Sequence, residues 1–160
     1  MLIMSYNLTI FSTFFLCATL VSFFVAFLAW QRRTVIGAKE LTLLMLAAGI
    51  WTFFIIFETV SDTESGKIFW SKFAYLGAVS TPVLYFLFFL QFIGKEKYIS
   101  IKSRMLLFVI PVITLLLAIT NESHQLIWSG FSSVSEETNM MEFYHGPAFW
   151  IGYLRYNYLL

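Results

Sequence analysis

The chain has 160 residues, of which 59% are hydrophobic, 20% aromatic and only 12% charged. A soluble domain carries roughly a quarter charged residues, so there is too little polar surface to coat a soluble globule, and so many aromatics exclude disorder. A net charge of +1 leaves no basic face for nucleic acid, and the single Cys17 excludes a disulfide framework or a cysteine-based zinc site. What remains is an all-α integral membrane protein, a multi-pass helical bundle in the cell membrane whose first partner is the lipid bilayer.

A helix needs about 20 mostly apolar residues to cross roughly 30 Å of hydrocarbon. On that measure the spans are residues 8–30, 41–60, 71–94 and 104–121, with a partial fifth at 147–160. The apolar runs lack the alternation of a membrane barrel. No Lys or Arg precedes Arg32 and the first apolar run is too long for a signal peptide, so it reads as an uncleaved anchor. The fifth segment covers only about 21 Å of helix, which predicts a chain cut inside span five, with its output module absent.

Basic residues mark the cytoplasmic side. The loops at 31–40 and 95–103, with their edges, hold Arg32, Arg33, Lys39, Lys95, Lys97, Lys102 and Arg104. The opposite side holds Lys67 and Lys72, and the loop at 121–147 has no basic residue but carries Glu122, Glu136, Glu137 and Glu142. Seven against two predicts an outside N-terminus, with residues 121–147 outside. In that long loop, 121–130 reads as ordered and 132–142 as a mobile or hairpin stretch.

Pro82 in span three and Pro111 in span four are predicted helix kinks, since proline removes a backbone hydrogen bond. Glu58, about one turn below the outer end of span two, either snorkels to the headgroups or serves a ligand or proton site. Arg155 has a stem long enough to reach Glu58, making a candidate ion pair. Trp51, Tyr75 and Tyr85 lie inside the spans, as core or as walls of an apolar pocket, whereas Trp30, Trp70, Trp128 and Trp150 sit at span ends. Asn121 is placed to bond the last free carbonyls of span four. His124, three residues on, either caps that span or forms a pH-sensitive latch beside Glu58. His124 and His145 are too far apart in sequence to suggest a metal site. No cofactor and no catalytic motif is predicted.

Several of these residues fall in one pattern. Trp30-Gln31-Arg32-Arg33 is followed by Trp51 and Glu58, then by Trp70, Tyr75-Leu76-Gly77 and Pro82, and then by Gly94-Lys95-Glu96 and Pro111. Thr120-Asn121, His124, Leu126 and Trp128, and finally Gly146-Pro147-Ala148-Phe149-Trp150, complete it. The chain resembles the N-terminal seven-transmembrane sensor region of bacterial and archaeal histidine kinases, a region also found ahead of diguanylate cyclases. The resemblance implies an outside N-terminus and a cytoplasmic kinase or cyclase module in cis.

The resulting expectation is a non-enzymatic signal-input region that perceives an unknown small-molecule or physical signal, alone or as a homodimer. Its candidate input residues are Glu58, Trp70, Asn121, His124, Trp128 and Trp150. The rival is part of a small-molecule transporter or channel, which would need broken helices and polar groups at the midplane.

Overall fold

The computed structural model describes residues 8–152. Helix α1 spans Ile10–Gln31, α2 Ala38–Val60 and α3 Glu64–Phe92. A short 3-10 turn at Glu96–Tyr98 leads to α4, Ile101–Leu107, and α5, Val109–Ile119. After a second 3-10 turn at Asn121–Ser123, strands β1, Trp128–Phe131, and β2, Phe143–His145, form an antiparallel hairpin. A further helix, α6, begins at 147 and is described to 152. The expected Glu58–Arg155 pair and most of the expected fifth span lie outside the described residues.

Local chemistry sets the helix starts. Thr9 caps α1 in a reciprocal box with Ser12: the Ser12 amide donates to Thr9 Oγ1 at 3.2 Å and the Thr9 amide to Ser12 Oγ at 3.1 Å. Thr63 caps α3 by accepting from the Gly66 amide at 3.2 Å, and Ser100 caps α4 by accepting from the Ser103 amide at 3.2 Å. The chain enters α2 through Gly37 at φ +82°, a left-handed turn that favours glycine.

Among the described residues, four helical segments are long and apolar enough to cross a membrane, the fourth being Ile101–Ile119 taken through its break. The helices depart most from the expected spans at three places. Helix α2 begins at Ala38 and not at 41. Helix α3 begins at Glu64 and not at 71, because the Thr63 cap starts it and Lys67 then turns inward. The fourth span, expected over 104–121, is split at Phe108. There the Phe108 amide bonds back to Met105 O at 3.1 Å, and Pro111, three residues on, has no N–H to offer Leu107. Helix α3 runs unbroken through Pro82.

Small residues let the helices close up, as expected where lipid supplies no hydrophobic drive between them. Ser12, Thr19, Ser22, Ala26 and Ala29 are the buried residues of α1. Thr19 Oγ1 donates to Thr52 Oγ1 of α2 at 2.8 Å. Gly77 of α3 sits directly on the α2 backbone. Most large apolar side chains of α1 are exposed, as on a lipid-facing surface. At the end where α2, α3 and α5 meet the hairpin, Ala118, Ile127 and Trp128 form a buried cluster.

Candidate functional site

A cleft of about 570 Å³ opens between α2, α3, α5, the hairpin and α6. Glu58 reaches it from the last turn of α2, and its Oε2 accepts a hydrogen bond from Ser71 Oγ of α3. Trp51 and Tyr75 form wall, as does Pro82, with Pro111 and Thr114 facing them from α5. Trp128, Phe143 and His145 close it from the hairpin, and Phe149 from α6. Trp128 is only 2% exposed and meets Tyr75 edge-on at 5.1 Å. It is thus a buried part of the wall and not an interfacial anchor.

The hairpin is pinned to the helices at two places. At the first, Asn121 is buried and reads the backbone ahead of it. Its Oδ1 accepts from the amides of Ile127 at 2.9 Å and Trp128 at 3.0 Å, and its Nδ2 donates to Trp128 O at 2.9 Å. It therefore fastens the loop, and the expected bonds to the end of span four are not made. Behind it, the Gly146 amide donates to Ile127 O at 2.8 Å. A Cβ on Gly146 would come within 2.4 Å of Leu126 O, so only glycine permits that approach.

At the second place, Lys67 is 2% exposed. Its Nζ donates to Glu58 O at 3.0 Å and to Asn139 O at 2.7 Å. Asn139, in the left-handed region at φ +52°, donates in turn to Thr59 O at 3.0 Å and Asp62 Oδ1 at 3.3 Å. Lys67 and Asn139 escaped the sequence reading: a lysine in a polar connection reads as solvated, and nothing local links it to a residue 72 positions away.

The expected input residues separate. Glu58 and Trp128 share the cleft. Trp70 lies outside it, stacked on Phe57 at 4.8 Å. Trp150 stands edge-on to His145 at 6.1 Å without lining the cleft. His124 closes its own turn: Nδ1 accepts from the Leu126 amide at 3.0 Å, and Nε2 lies 3.1 Å from Thr120 Oγ1. The imidazole that lines the cleft with Glu58 is His145, and the latch, one of the two readings of His124, is not seen. Among the described residues no cluster of metal-binding side chains occurs.

Lys72 of α3 pairs with Glu122, and that bond holds the Glu122 carboxyl below the usual carboxylate range. The His145 ring stacks on Phe149 at 3.6 Å, and the partial burial pushes its pKa below the ordinary 6.5. A lowered pKa means that the unfolded chain binds more protons than the folded one just below pH 6.5. Stability contributed at His145 is therefore complete above that pH and declines as pH falls through it. Amide protection at residues 143–146, taken relative to the intrinsic exchange rate at each pH, should fall modestly on acidification from pH 7 to 5, and His145→Phe should remove the part of that dependence due to this ring. An identical pH profile in both proteins would show that His145 does not sense the change.

A polytopic helical bundle with a hairpin roof over one end is the class these features define. The family described as the N-terminal 7TM region of histidine kinase matches residues 14–160. The chain belongs to that family. No curated protein and no solved structure matches it.

Proposed function

We propose that the chain is the signal-input region of a sensor histidine kinase, non-catalytic itself, with the hairpin end outside the cell membrane. Occupancy or strain at the hairpin end shifts the bundle between two packings, and the bias passes to a cytoplasmic kinase module in cis. The family membership carries this reading, and the charge distribution supports its orientation. The two lysines near the hairpin are both engaged: Lys67 with two backbone carbonyls, Lys72 with Glu122. Both still count as positive residues, so the balance stays at seven on the opposite side against two here.

The orientation is tested by single cysteines in a Cys17→Ala background. Ser133→Cys should react with a membrane-impermeant maleimide in intact cells, and Ser103→Cys only after permeabilisation; both positions are exposed. Reversed labelling overturns the topology. The signalling role is tested in the full-length protein by Trp128→Ala, which should change autophosphorylation in membranes. Unchanged output there would overturn it.

A further inference from the structure

We propose that the cleft binds an organic ammonium group carried on an apolar body, with the Glu58 carboxylate as counter-charge and the surrounding rings as a cage. The inference rests on the signal-input reading and names the chemistry of the input.

The charge balance of the cleft comes first. Among the described residues no Lys or Arg lines it, and Glu58 is the carboxylate found there. Burial keeps His145 largely neutral near pH 7. A carboxylate offers about four lone-pair positions, of which Ser71 fills one. Lys67 acts on the Glu58 carboxyl through space, but its Nζ donates to the carbonyls of Glu58 and Asn139, so it fills none of the carboxylate's lone pairs. The ion pair found among the described residues is Lys72–Glu122. Glu58 is thus left with acceptor capacity facing an apolar space, where an incoming N–H donor with positive charge meets the least competition.

The rings point to the same ligand. Tyr75, Trp128, Phe143 and Phe149 stand around the outer part of the cleft, with Trp51 further down α2. Aromatic faces attract organic cations, the more so when desolvated. Below them the lining turns to Ile55, Val79 and Ile110, which suits a hydrocarbon body. An anionic ligand would face the Glu58 charge. The volume falls within the roughly 300–1,000 Å³ of small-molecule sites. A lipid headgroup and a free amphiphilic amine both present this ammonium chemistry.

The test uses the 160-residue chain in phosphatidylglycerol nanodiscs, photolabelled with diazirine-bearing dodecylamine or with the matching dodecanol. The amine should label the peptides containing Trp51, Tyr75 and Phe149 about tenfold more than the alcohol, the gain expected of a charge-assisted bond. Glu58→Gln should abolish that preference and spare the alcohol's labelling. Phe149→Leu should cut the amine's labelling by about fivefold through loss of a cation–π face. If phosphatidylethanolamine in the disc suppresses the amine's labelling, the natural source is a headgroup; if labelling persists, it is a free amine. Equal labelling by amine and alcohol in the unmodified chain, or an amine preference that survives Glu58→Gln, overturns the proposal. Should Glu58→Gln fail to fold, Phe149→Leu decides: a selective fall supports the cage, and no change overturns it. The readout is independent of kinase output, so a negative result here leaves the signal-input reading to its own test.

Discussion

Asn121→Ala should lower the stability of the hairpin end by about 3–5 kcal/mol, since each buried polar group left unsatisfied costs about 1–3 kcal/mol. Asn121 is 4% exposed, and its carboxamide satisfies three backbone groups at 2.9–3.0 Å. Alanine would strand the amides of Ile127 and Trp128 and the Trp128 carbonyl beside the buried cluster. Asn121→Asp keeps both acceptor bonds and loses the donor, so its effect should be intermediate. Thermal unfolding in detergent and proteolysis within residues 124–131 both report the change. Unaltered melting and cleavage in the alanine variant would mean that the hairpin is held by other contacts.

Gly77→Val should cost about 3 kcal/mol, at the upper end of ordinary overpacking penalties. A Cβ at this position would lie 2.3 Å from Ala47 O and 2.6 Å from the Trp51 amide nitrogen. Both are backbone atoms, so no rotamer change relieves the clash and α2 and α3 must part. Valine gains a few tenths of a kcal/mol over glycine in helix propensity, too little to reverse the sign. Gly130→Ala is the matched control: its Cβ would meet a Tyr144 ring carbon at 3.4 Å, which can give way. Similar melting of Gly77→Val and Gly130→Ala would contradict the close approach of α2 and α3.

The spans were legible because hydrocarbon thickness forces long apolar runs, and four such helical segments are present among the described residues. The hairpin was half legible: 121–130 read as ordered and 132–142 as a mobile or hairpin stretch, and the strands bracket that stretch. The clamp was not legible, because burial of Lys67 depends on Asn139 arriving from 72 residues away. Which histidine meets Glu58 was not legible for a similar reason. His124 lies near Glu58 in a linear sketch of the span ends, but the 3-10 turn after α5 directs it to its own backbone. The antiparallel register pairs His145 with Trp128, and that register cannot be read from local spacing.

The break at Phe108 bears on mechanics. Helix α3 is an uninterrupted strut of 29 residues, about 43 Å at 1.5 Å per residue. The neighbouring α4–α5 rod is jointed in the middle. Its far half is fastened through Arg104 Nη2 to Glu96 O at 3.2 Å, and its near half through Asn121 to the hairpin. A load applied to the hairpin compresses a stiff member and a jointed one side by side. The joint yields sideways before the strut shortens, so thrust along the membrane normal becomes leverage in the membrane plane.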